Sequence, residues 1–280
     1  MTRMSIDCRL AYDVKTRSDF IFHLLAMRLP SQKVVREDLS LSQGGDPRYF
    51  DDPVSGNRFF RYVGQPGPLE VRYRATVEVD PPSVDSAAPE IAIADLPGEV
   101  LHYLNPTRYC ESDLLGRAAA RLFGDIRRGH FRVEAVARWV RENVEYRIGS
   151  SNSTTTATNV FVSRAGVCRD FAHLAITFCR ALGIPARFVS GYVQFGEPPP
   201  DFHAIFDAYI GDRWVAFDPT GLAPTNRMVR IGTGRDAKDV AFATIFGEVE
   251  GASVEPLITE DDGSSPLCKA DIRGAGVGGD

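Results

Sequence analysis

The chain has 280 residues, 44% hydrophobic and 25% charged, which is enough to bury one large core or two ordinary ones. Its formal net charge is −5, with acids and bases interspersed, so it offers no basic footprint for nucleic acid. No run approaches the roughly 18 apolar residues of a membrane span, and the opening MTRMSIDCRLAYDV lacks the apolar centre of a signal peptide. The expectation is a cytoplasmic enzyme with neither membrane nor nucleic acid among its partners.

The first hundred residues read as β. IDCRLAYDV, QKVVREDLSLS, NRFFRYV and LEVRYRATVEV alternate or are rich in β formers, and Gly-Gly-Asp-Pro and Asp-Pro-Val-Ser-Gly-Asn turns separate them. DFIFHLLAM fits a strand or a short helix equally well. Short strands at this spacing predict a β-sandwich-like domain over residues 1–100. From about Leu101 the period changes. ESDLLGRAAARLFGDI and VEAVARWVRENVEY carry apolar residues at helical spacing, with Val133, Val136, Ala137, Val140 and Val144 on one face. A second domain is expected over 101–250, and a polar, glycine-rich tail over 251–280 that is disordered in part.

Five cysteines, at 8, 110, 168, 179 and 268, form no C-x-x-C pair. An odd, scattered set argues against a disulfide framework or a zinc site and favours reduced thiols. In AGVCRDFAHLAITFCRALGIPARF the apolar positions Phe171, Leu174, Ala175, Phe178 and Leu182 make a helical stripe, closed by Gly183 and Pro185. Cys179 lies beside that stripe and reads as a small core residue. Cys168 precedes it, at a helix N-terminus where free N–H groups and the dipole favour a thiolate. Gly166 is expected to supply the sharp turn into the helix.

A cysteine nucleophile needs a base. HAIFDAYI (203–210) and RWVAFD (213–218) flank the two-residue loop Gly211-Asp212, a hairpin signal. If Ile210 pairs with Arg213, Tyr209 meets Trp214, Ile205 meets Asp218, and His203 becomes a diagonal neighbour of Asp218. An imidazole would take the thiol proton and the carboxylate would fix the imidazole tautomer. Elsewhere the signals are local. His173 points away from Cys168 around the helix, Asp170 caps the helix start, His23 and His102 have no patterned partner, and His130 is expected in a solvated basic turn. There is no P-loop, H-E-x-x-H, EF-hand or G-x-S-x-G motif, so no metal or cofactor is expected.

GVCRDFAHLAITFCRALGIPARFVSGY and FHAIFDAYIGDRWVAFDPT resemble the nucleophile and His–Asp segments of the bacterial transglutaminase-like superfamily, a branch of papain-like cysteine enzymes. YFDDPVSGN and YLNPTRYC are similar to its upstream features, so the resemblance covers roughly residues 5 to 246. It implies an α+β fold: an N-terminal β-sandwich-like domain, then a papain-like core of helices packed on an antiparallel sheet. It also implies a catalytic triad of Cys168, His203 and Asp218 acting without metal. Two positions depart from the family's habit: Ile205 stands where a Trp is common two residues after the histidine, and Phe202 where a small or charged residue is common. Both bear on the cleft wall.

The reading is a cysteine enzyme acting on amide or acyl carbonyls of a peptide or protein through a thioester, by hydrolysis. Its rivals are acyl transfer to an amine and a non-catalytic peptide-binding member of the fold. The second oxyanion donor and the oligomeric state are left open. The proline-rich run before His203, residues 194–202, is a candidate wall of the cleft.

Overall fold

The structure is a computed structural model that describes residues 1–194 and 201–260. Alternation across the first domain gives β1 (Thr2–Val14), β2 (Ser18–Phe22), β3 (Gln32–Leu41), β4 (Arg48–Asp51), β5 (Arg58–Gly64) and β6 (Gly67–Val79). In β1 the period is visible in the burial: Ile6, Cys8, Leu10, Tyr12 and Val14 are buried, while Asp7, Arg9 and Asp13 are not.

Two late strands, β13 (Ala243–Phe246) and β14 (Val249–Glu260), return to this domain. They complete two four-stranded sheets, ordered β14-β1-β6-β3 and β13-β2-β5-β4. The aromatic side chains of Phe20, Phe22 and Phe60 stack at 4.9–5.3 Å in the shared core. The result is the expected β-sandwich-like unit, with one difference. The expected tail begins inside β14, which pairs with β1 from Glu260 against Met4 to Val249 against Val14. Local pattern cannot reveal this, because the partner strand lies over two hundred residues away in the sequence. Residues 261–280 of that tail fall outside the described residues.

The second unit contains α1 (Gly116–Phe123), α2 (His130–Asn143), β7 (Glu145–Tyr146), α3 (Ala157–Ser163), β8 (Ala165–Gly166) and α4 (Cys168–Ala181). The strands β9 (Ala186–Tyr192), β10 (His203–Ile210), β11 (Arg213–Phe217) and β12 (Val229–Gly234) follow, in the sheet order β11-β10-β9-β12. Helix α4 is the centre of the unit. Every residue from Asp170 to Arg180 is buried, because α1, α2, α3 and the sheet surround it. The apolar stripe read from the sequence is therefore only part of a helix buried all round. Arg180 is accommodated there by donating to the carbonyls of Asn105, Ala186 and Arg235.

His130 is not in a solvated turn. It opens α2 with its side chain only 11% exposed and its ring 5.1 Å from that of Phe217. The helix end at Gly183 has φ +80, the left-handed conformation that favours glycine.

Side chains of the first domain bind the β12 edge. The Gln32 carboxamide donates to the Arg230 carbonyl and accepts its N–H. Asn57 does the same to Thr233. Tyr192 donates to the Leu24 carbonyl at 2.8 Å. These pairings join the sandwich to the second unit.

Candidate active site

The hairpin register follows from its loop. Gly211 (φ 56) and Asp212 (φ 60) both adopt positive φ, as a type I′ turn requires. Ile210 pairs with Arg213, Tyr209 with Trp214 and Phe206 with Phe217. The ladder stops there, so Asp218 lies one residue past the strand. His203, the first residue of β10, is 1% exposed, and its Nε2 lies 3.1 Å from Asp218 Oδ2.

Asp218 is held on both oxygens. Oδ1 accepts the Thr220 N–H at 2.8 Å and its hydroxyl at 2.7 Å, and Oδ2 also accepts the Ala223 N–H at 3.1 Å. Burial works to raise this carboxyl's pKa. The bond to His203, its charge and the Thr220 bonds outweigh burial and hold it below the usual carboxylate range.

Cys168 is the first residue of α4, half-buried, with Sγ 3.9 Å from the Phe202 carbonyl. The start of the helix is held by Asp170, whose carboxylate accepts the Val167 N–H at 2.9 Å and the Ser151 hydroxyl. Gly166 is not the turn expected of it. It pairs with Tyr146 in the short β7–β8 ladder, and a Cβ there would sit 2.7 Å from Asp170 Cβ. Glycine is required by the space that the capping carboxylate occupies.

The thiol and the imidazole interact. Burial, the largest influence, pulls the His203 pKa down. Hydrogen bonds to Asp218 and Cys168 and the charges on both override it and raise it to about 9. With Nε2 turned to Asp218, exchange with the thiol falls to Nδ1. The structure thus brings Cys168, His203 and Asp218 together in one chain of contacts.

Tyr146 is a residue the sequence reading missed. Burial and then the charge of the neighbouring Cys168 hold its phenol well above the ordinary value, so its hydroxyl interacts with that residue's thiol and backbone. A tyrosine ending a two-residue strand carries no local signal. Only the pairing of Tyr146 with Gly166 brings it to the helix start.

The other candidates have local roles. His173 Nε2 accepts the Ala237 N–H at 3.1 Å, and its ring stacks on Tyr109 at 5.1 Å. Cys179 and Cys110 are fully buried, and burial pushes the Cys110 thiol up to about 12. His102 is exposed and does not line the cavity at Cys168. Among the described residues no group of three His, Cys, Asp or Glu side chains could hold a metal ion.

A cavity of about 290 Å³ opens at Cys168 and His203. It is walled by Phe188, Phe202, Ile231, Val240 and Phe242, with His23 reaching in from the first domain. Phe202 and Ile205, the two departures from the family's habit, are not equivalent. Phe202 lines the cavity, whereas Ile205 is buried in a small cluster with Val189 and Met228. Of the proline-rich run, Asp201 and Phe202 line the cavity, and residues 195–200 lie outside the described residues.

A half-buried thiol at a helix start, facing an imidazole that a carboxylate orients, is the arrangement of a papain-like cysteine site. The chain belongs to the transglutaminase-like superfamily: residues 117–219 match that superfamily and residues 2–99 match the bacterial transglutaminase N-terminal domain. A crystal structure described as a "putative cysteine protease" from Cytophaga hutchinsonii is 40% identical, with a TM-score of 0.87 over 93% of this chain and 92% of that one. An uncharacterized protein of Mycobacterium leprae is 32% identical over 54% of this chain and 56% of its own. One from Mycobacterium tuberculosis is 30% identical over 64% of this chain and 52% of its own. The chain spans about half the length of these curated relatives. No helix among the described residues is long and apolar enough to cross a membrane.

Proposed function

We propose that the protein hydrolyses an amide bond of a peptide or protein through a thioester on Cys168. The observation that carries this is the contact chain from the Cys168 thiol through His203 to Asp218. The Cys168 proton rests on His203 as an ion pair, and the thiolate sulfur attacks the carbonyl carbon. The oxyanion is met by the Cys168 N–H at the open end of α4, with the Tyr146 hydroxyl as the second donor. Collapse breaks the C–N bond, and His203 returns the proton to the leaving amine. Water then gives its proton to His203 and attacks the thioester, releasing a carboxylic acid and the thiol.

Free thiols at all four described cysteines fit a reducing, cytoplasmic setting. The test is a library of peptide aminocoumarin amides incubated with and without a primary amine. Acid-quenched mass spectra would look for an acyl group on Cys168. Acid products and an acyl-Cys168 species, both lost in His203→Ala, are expected. Amide products formed with the amine would reassign the reaction as acyl transfer. Binding with no turnover and no acyl-enzyme would leave a peptide-binding module.

A further inference from the structure

The cleft contains polar groups that the proposed reaction does not use. His23, from the first domain, is 1% exposed, and neither ring nitrogen makes a well-formed hydrogen bond among the described residues, the Ile231 backbone giving only a loose polar contact. Its backbone N–H is fixed on the Phe242 carbonyl at 3.0 Å, and its ring rests 4.2 Å from that of Phe59. The ring lies over Gly232, where a Cβ would come within 2.2 Å of Cε1. Gly232 pairs across the sheet with Ser190, which pairs in turn with Ala204. The Ser190 hydroxyl is also buried without a partner, and both residues line the cavity that holds Cys168 and His203.

Two unpartnered polar side chains in one apolar cavity cost stability unless a ligand meets them. The small row Ala204-Ser190-Gly232 keeps the floor beneath them open. We propose that His23 and Ser190 form a subsite for a second, unreacting amide group of the substrate. Gly232 lies two strands from β10, so the subsite is about 10 Å from the strand that carries His203. That is close to three residues of extended peptide, at roughly 3.3–3.6 Å each. The inference rests on the reading of Cys168 only for where the attacked carbonyl sits.

The ligand is uncharged. Burial lowers the His23 pKa to about 4, although the nearby Ile231 backbone works weakly the other way. At neutral pH the ring therefore offers one N–H donor and one acceptor nitrogen, and Ser190 offers a hydroxyl. That set matches the C=O and N–H of an amide. A carboxylate would find no cation at His23 and would meet the Asp201 carboxylate in the cavity wall. The guanidinium of Arg169, also in the wall, is engaged by Asp170, Ser151 and the Asn152 carbonyl. The first domain is on this account part of the substrate site.

The test uses acetyl-tetraalanine chloromethyl ketone, whose methylene carbon the Cys168 sulfur alkylates with loss of chloride, and analogues in which one amide is replaced by an ester. In the wild type one replacement should slow labelling about five- to tenfold. In Ser190→Ala and His23→Leu that penalty should fall within about twofold, with the iodoacetamide rate unchanged. A penalty that persists in both variants, or that no replacement produces, overturns the subsite.

If no reagent labels Cys168, the nucleophile reading fails while the subsite is read separately. The Cys168→Ala protein, with ¹⁵N-labelled histidine, is titrated with acetyl-tetraalanine amide. Saturable shifts of the His23 ring nitrogens support the subsite. Silent His23 resonances, or no saturable binding, overturn it.

Discussion

His203 Nε2 lies 3.1 Å from Asp218 Oδ2, and the same oxygen accepts the Ala223 N–H. The carboxylate is thus fixed before it meets the imidazole, and it supports a protonated ring. With its pKa raised to about 9, His203 stays imidazolium across neutral pH and can hold the Cys168 thiolate as an ion pair. Iodoacetamide should therefore alkylate Cys168 well below pH 8 and ahead of the buried Cys8, Cys110 and Cys179. In His203→Ala the rate should instead rise like that of an ordinary thiol, near pH 8.5. Peptide mapping of the alkylated protein across pH reads both.

The same pair makes stability depend on pH. His203 has a folded pKa above its ordinary 6.5, so its contribution is complete below 6.5 and is lost as pH rises through about 9. Asp218 has a lowered pKa, so its contribution is present above 3.8 and is lost as pH falls below that. Urea unfolding of wild type and Asp218→Asn should differ most between these limits and differ less above pH 9, where only the Thr220 and Ala223 bonds to the carboxylate remain. The variant should also lose activity by at least about 100-fold, because the imidazole loses its orienting charge.

Tyr146→Phe separates oxyanion support from thiol activation. If the hydroxyl serves the transition state, kcat should fall by about 10–100-fold with little change in KM. The iodoacetamide rate at neutral pH should change much less than kcat, since alkylation makes no oxyanion and Tyr146 touches the thiol only as one of its neighbours.

Asp207 is fully buried between Arg187, at 2.9 Å, and Arg230, at 2.7 Å. The two guanidinium groups hold its carboxyl below the ordinary value in spite of burial. Removing it in Asp207→Ala strands two half-buried cations, so a loss of about 3–5 kcal/mol is expected from the urea midpoint. Arg230 is also gripped by Gln32 from the first domain, so the loss should include weaker docking of the two units.

Truncation after residue 248 removes β14 and with it every ladder bond on one side of β1. The strand carrying Ile6, Cys8 and Leu10 would become a sheet edge beside an opened core. The truncated chain should be insoluble or lack the near-ultraviolet signal of packed aromatic side chains.

What the sequence alone determined is local. The 3.6-residue period placed the helix after Cys168, Gly183 ended it, and Gly211-Asp212 set a hairpin whose even loop put His203 near Asp218. Each of these depends on neighbours along the chain, where spacing is geometry. Strand β4, helix α3 and strand β12 were not legible, being short or lacking a strong period.

Tertiary structure decided what spacing cannot express. The last described strands return to the first sandwich, Tyr146 reaches the helix start through a two-residue ladder, and His23 enters the cleft from another domain. Gly166 and Gly232 have meanings set by Asp170 and His23, side chains that occupy the space a Cβ would need. These relations join residues far apart in sequence, and they are fixed by burial and hydrogen bonding in three dimensions, which leave no periodic trace in the chain.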